Sequence, residues 1–143
     1  MLFRSPTGHE KPWEYYLQLM TWTRSGGVVW HQLALVTLAV VGAAISLRAA
    51  LVSRRGPMLS AATWPALYTA LLLVALSSVP YKTPWHVVHF IPGLALLAAL
   101  ALAALTSLRT GKWLALPLAL VTLATLYQQT VRVAFQQIGR AHV

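Results

Sequence analysis

Few residues in this chain can do chemistry, and most of them fall in two short stretches. The first is Gly8-His9-Glu10-Lys11-Pro12-Trp13-Glu14-Tyr15-Tyr16-Leu17, which holds the chain's only two acids, Glu10 and Glu14. The second is Pro80-Tyr81-Lys82-Thr83-Pro84-Trp85, followed by His86 and His89. Lys82 is the only Lys or Arg between Arg55 and Arg109, and prolines near it on both sides fix φ and interrupt helix. A cation at the centre of a bilayer costs about 2.5–3.5 kcal/mol, so Lys82 belongs at a membrane face. A rigid basic turn at headgroup depth suits an anionic, membrane-bound ligand. Glu10 has the chemistry of a general base toward a hydroxyl, or of a partner with His9 for a divalent cation. His86 and His89, at i and i+3, share a helical face and can bond a phosphate or a sugar. No third ligand stands beside them, so no metal site is assigned. The plainer reading makes Lys82 a snorkelling cation, Trp85 a membrane-interface ring, and the two carboxylates structural.

The elements that carry these residues are membrane spans. Of 143 residues, 58% are hydrophobic and 9% charged, and the mean hydropathy is +0.66. Soluble domains carry about 25% charged residues, so the composition is that of an all-α integral membrane protein. The net charge of +9 would point to nucleic acid in a soluble protein. Here the basic residues sit in short connections between apolar runs, which is the positive-inside pattern, and nucleic acid is excluded as a partner. No cysteine is present, which rules out disulfides and thiolate metal sites. Residues 1–16 lack a signal-peptide pattern. Residues 1–5 and 138–143 resemble translations of sequencing-adapter DNA. Both ends therefore read as artefacts, and the chain as an internal or C-terminal piece of a longer protein.

Four spans are expected, at about 27–47, 62–79, 86–105 and 113–127, behind an extracytoplasmic segment at 6–26. Pro92-Gly93 is expected to kink the third. Arg48, Arg54, Arg55, Arg109 and Lys112 flank the opposite ends of the spans from Lys82. That imbalance places the 48–57 and 106–112 loops in the cytoplasm, and 80–85, the N-terminal segment and the Arg132 end outside. Trp22, Trp30, Trp64, Trp85, Trp113 and Tyr127 fall near span ends as an aromatic belt. Pro12 can open a short interfacial helix with Trp13, Tyr16, Leu17 and Met20 on one membrane-facing side. His31 is expected to bond a neighbouring helix or water, and Gln128, Gln129 and Arg132 to be outer-surface polar residues.

The order and spacing of the two polar stretches carry a resemblance. Gly8-His9-x-Lys11-Pro12-Trp13-x-Tyr15-Tyr16-Leu17, with Tyr81-Lys82-Thr83-Pro84-Trp85 entering a later span, resembles the later part of certain prokaryotic membrane proteins. These are the dolichyl-phosphate-mannose-protein mannosyltransferase-like, flippase-associated glycosyltransferases, and the likeness covers most of residues 6–136. It implies a larger multi-pass C-type glycosyltransferase fold that acts outside the cytoplasm. It also implies a polyprenyl-phosphate sugar donor and a glycan, lipid or protein acceptor, with no cofactor evident beyond an undetermined divalent metal. On that reading Lys82 and His86 bind the donor phosphate, and Tyr81, Trp85, His9, Lys11 and Trp13 line the substrate. The principal catalytic carboxylate of such enzymes lies in an early outer loop with no counterpart here, leaving Glu10, ahead of Glu14, as the local candidate. A different class, a non-catalytic lipid-phosphate-handling subunit or part of a transporter, would use the same basic turn.

Overall fold

The computed structural model describes residues 10–25, 28–52 and 63–132. His9, Arg54, Arg55 and the two adapter-like ends lie outside the described residues. Among the described residues the protein is helical apart from one small hairpin. Helix α1 is Tyr15–Thr21, followed by strands β1 (Thr23–Ser25) and β2 (Val28–Trp30). Then come α2 (Leu33–Val52), α3 (Thr63–Ser78), a 3-10 helix at Pro84–His89, α4 (Ile91–Thr106) and α5 (Lys112–Arg132).

Three helical runs are long and apolar enough to cross a membrane: Leu33–Val52, Pro84–Thr106 and Lys112–Val131. At 1.5 Å per residue, twenty residues give about 30 Å, the thickness of the hydrocarbon core. Helix α3 is also apolar but has 16 residues, or about 24 Å. Neither α2 nor α3 has a marked apolar stripe, as expected of helices that meet lipid on most sides.

Several boundaries differ from the expected ones for local reasons. The first span starts at Leu33 because β1 and β2 pair antiparallel, with Thr23 opposite Trp30 and Ser25 opposite Val28. That pairing takes residues 28–30 out of helix. Helix α3 stops at Ser78, two residues before Pro80, whose ring disfavours helical geometry at Val79. The kink expected at Pro92-Gly93 is instead a handover. The 3-10 helix ends at His89, and Pro92 falls in the first turn of α4, where its missing N–H costs nothing.

Helix α4 is the hub, packed against α2, α3 and α5. Its Leu94, Leu97, Ala98 and Ala101 and the Leu35, Ala39, Gly42 and Ser46 of α2 are all buried. The small residues let the two backbones touch: a Cβ on Gly42 would collide with the Leu97 carbonyl. Gly93 likewise accepts the Tyr68 and Thr69 side chains of α3. Such close approach is how helices associate where lipid supplies no hydrophobic drive. Several hydroxyls on the helices are satisfied within their own helix, with Thr69 donating to Pro65 O at 2.7 Å and Thr122 to Leu118 O at 2.8 Å.

Candidate functional site

The two polar stretches meet at one end of the bundle. Glu10 and Tyr81 form an antiparallel bridge, and the Lys11 N–H donates to Pro80 O at 3.3 Å. Pairing needs extended backbone on both sides. Pro80 and Pro84 keep helix out of the turn, and a turn closed by the Tyr15 N–H donating to Pro12 O at 3.1 Å leads from the bridge into α1.

Lys82 closes this junction. Its ammonium donates to Val79 O at 2.7 Å and to Lys11 O at 3.1 Å, and the residue is 2% exposed. The cation thus holds its own turn and the segment before α1 together from inside. A buried ammonium is tolerable only when its N–H groups find acceptors, and two carbonyl dipoles provide them. Lys11 itself is exposed, so its backbone is held while its side chain reaches solvent.

Tyr16 makes the second junction. It is fully buried, its hydroxyl lies 2.9 Å from His86 Nδ1, and its ring packs against Phe90 with centroids 5.6 Å apart. Burial raises the Tyr16 hydroxyl above the ordinary tyrosine range, opposed by a hydrogen bond with the Thr83 backbone and reinforced by Tyr15. Tyr15 is raised by burial too. The neutral phenol is therefore the form the fold holds.

This corrects the interfacial-helix expectation. Tyr16, Leu19 and Met20 of α1 turn into the protein, while Trp13 lies before the helix and is 67% exposed. The hydrogen bond to His86 and the Phe90 contact give Tyr16 more than a lipid interface offers.

The histidines share a face as expected. In a 3-10 helix residues i and i+3 eclipse, and the His86 and His89 rings stand 5.9 Å apart. Among the described residues no three of His, Cys, Asp or Glu gather as a metal site. Tyr81 and Trp85 are 52% and 60% exposed, so with Trp13 they ring the cap with aromatic surface. Glu10 is exposed on the bridge. Glu14 precedes α1 without capping it through its side chain.

Other polar residues tie the same end together. The Gln32 N–H donates to Met20 O at 2.9 Å, joining α1 to the start of α2. Gln129, expected at the outer surface, is instead buried, and its amide donates to His31 O at 2.8 Å. Desolvated amides need partners, and His31 carries a free carbonyl because it precedes α2. The His31 ring stacks on Trp22 at 5.5 Å. The Gln129 contact spans 98 residues, and no local pattern could have signalled it. The roles of Tyr16 and Phe90 were missed because an amphipathic face reads the same whether lipid or protein covers it.

No family model matches the chain, nor does any curated protein or solved structure.

Proposed function

We propose that this chain is the donor-binding membrane part of a multi-pass glycosyltransferase that uses a polyprenyl-phosphate-linked sugar. In this reading α3 is a fourth span, slightly short and accommodated by local thinning of the bilayer. The cap formed by α1, residues 79–83 and the 3-10 helix faces the extracytoplasmic leaflet. The observation that supports it is the meeting, at one bundle end, of two polar stretches about seventy residues apart, joined by Lys82 and by Tyr16 with His86.

Lys82 works in this scheme by position. It fixes the backbone of Lys11 and adds positive potential from within, while the Lys11 ammonium and the His86 imidazole meet the phosphate. As the sugar–phosphate bond breaks, negative charge develops on the leaving phosphate, and these fixed cations and donors stabilise it. Tyr81, Trp85 and Trp13 border the sugar or the isoprenoid. Glu10, exposed on the bridge, is the carboxylate of this cap open to an acceptor hydroxyl.

Binding to the full chain in lipid nanodiscs tests this directly. A polyprenyl phosphate should bind more tightly than the neutral polyprenol of equal length, and Lys11→Ala with His86→Ala should remove most of the difference. Equal affinity for phosphate and alcohol defeats the reading. Sidedness is checked separately: the chain has no cysteine, so a single Lys11→Cys can be labelled without background. Modification only from the cytosolic side would place the cap in the wrong leaflet.

A further inference from the structure

The contact between Tyr16 and His86 fixes more than the seat of α1. Tyr16 is fully buried, and its hydroxyl lies 2.9 Å from His86 Nδ1. Its ring is clamped by Phe90 at 5.6 Å and, edge-on, by Tyr15 at 5.3 Å. A hydroxyl carries one hydrogen and two lone pairs, and a neutral imidazole carries its hydrogen on either Nδ1 or Nε2. Cut off from water, the phenol hydrogen needs an acceptor inside the protein. Among the described residues His86 Nδ1 is the one it meets. The phenol oxygen is served separately, by a hydrogen bond from the Thr83 backbone. With the imidazole hydrogen on Nδ1, two N–H groups would point at one oxygen and the phenol hydrogen would be stranded. A buried donor left without an acceptor disfavours that tautomer about tenfold or more.

Thr83 anchors both partners. Besides its bond to the phenol, its carbonyl accepts the His86 N–H at 3.3 Å, where the 3-10 helix begins. The His86 backbone and the Tyr16 oxygen are therefore held from one residue. The His86 ring is half-buried, with the exposed ring of His89 5.9 Å away.

We infer that Tyr16 is a positioning residue that locks His86 as the neutral tautomer with its hydrogen on Nε2, so that the ring offers a ligand a donor and not a lone pair. Toward an anion, such a ring acts without first taking up a proton. Toward a metal ion, or a hydroxyl that must be deprotonated, it has nothing to give, because its one lone pair is engaged by Tyr16. His86 is a hydrogen-bond donor and not a base. The tautomer follows from the protein alone, and only its use toward a phosphate rests on the proposed donor.

Nitrogen-15 spectra of the full chain in nanodiscs, with labelled histidine, read this directly. His86→Gln identifies the His86 signals by their loss. At mildly alkaline pH, where an ordinary imidazole is neutral, His86 Nδ1 should be pyridine-like and Nε2 pyrrole-like. Tyr16→Phe keeps the ring and removes the hydroxyl, so both nitrogens should move toward the averaged positions of exchanging tautomers. A pyrrole-like Nδ1 in the parent chain overturns the inference without recourse to any variant. Unchanged nitrogens in Tyr16→Phe overturn it as well, since the lock is then not Tyr16. Added polyprenyl phosphate should shift Nε2 and leave Nδ1 pyridine-like, whereas a phosphate that binds and turns Nδ1 pyrrole-like breaks the lock. If it shifts neither nitrogen, the donor reading loses His86 while the tautomer stands.

Discussion

Two short turns join consecutive helices in this protein, each carries basic residues, and they use them in opposite ways. At residues 79–83 the ammonium of Lys82 is buried and bonded to two backbone carbonyls from different parts of the chain. At residues 107–111 Arg109 is exposed, as is Lys112 just beyond, which lies 5.6 Å from the centre of the Trp113 ring. The second turn is closed by its backbone: Leu108 N–H donates to Leu105 O, Gly111 N–H to Leu108 O, and a Cβ on Gly111 would strike the Leu105 carbonyl. Where the backbone can close a turn by itself, the cations remain available to headgroups. Prolines deny the first turn that option, and a side chain supplies the missing donors.

The contrast is broken most directly by removing the charges. Lys82→Met should cost about 2–4 kcal/mol, because two covered carbonyls lose a charged donor. Arg109→Ala and Lys112→Ala should each stay within about 0.5 kcal/mol. Reversible unfolding in mixed micelles measures all three. Limited proteolysis of the Lys82 variant should also release residues before α1 first. Equal, small effects at both turns would mean that Lys82 holds nothing. Lys82→Arg should recover only part of the loss, since a planar guanidinium does not reproduce the compact ammonium.

The packing seam gives the next effect. Gly42→Leu forces a side chain into the Leu97 backbone, and overpacking of this kind costs about 1–3 kcal/mol. It should destabilise the bundle while leaving the Glu10–Tyr81 bridge intact, visible as thermal loss without early cleavage ahead of α1. If the same variant frees the segment before α1 first, cap and seam are one cooperative unit.

What the sequence disclosed follows the same division. Runs of apolar residues with cations between them disclosed the apolar helices, because bilayer thickness imposes a length that any such helix must meet. Both ends of α2 and the C-terminal end of α5 nevertheless lie five or six residues from where composition alone put them. The 3-10 helix, the hairpin and the inward face of α1 were not legible. They depend on contacts such as Tyr16 to His86, 70 residues apart, and on Gly42 meeting one particular carbonyl. Lys82 shows the limit clearly. Its isolation among apolar residues marked it as special, but that isolation fits equally a cation presented to a ligand and one consumed by its own backbone. Only the positions of Val79 O and Lys11 O distinguish the two.

The smaller effects concern the cap's phenol. Tyr16→Phe removes the His86 hydrogen bond and should cost about 1 kcal/mol at neutral pH. The pH dependence separates this bond from simple ring packing. Burial raises the Tyr16 hydroxyl in the folded protein above its unfolded value, so its contribution is fully present below the ordinary tyrosine range near pH 10. It is lost as pH climbs through the raised folded value, because the unfolded chain then gives up the proton more readily. Stability of the parent chain should fall in that alkaline window and that of Tyr16→Phe should fall less, with Tyr15 supplying the residual slope. Identical slopes would show that the hydroxyl is not the group held neutral by the fold. Smallest of all is Ser77→Ala at the end of α3. Its hydroxyl oxygen is buried without a partner, unlike that of Ser78, which donates to Val74 O at 2.7 Å. Removing an unsatisfied polar atom should be neutral or stabilising by up to about 1 kcal/mol, whereas Ser78→Ala should be neutral or slightly unfavourable. A clear loss at Ser77 would mean that its oxygen meets a group from outside the described helices, and the end of α3 beside the cap would then be a contact site in its own right.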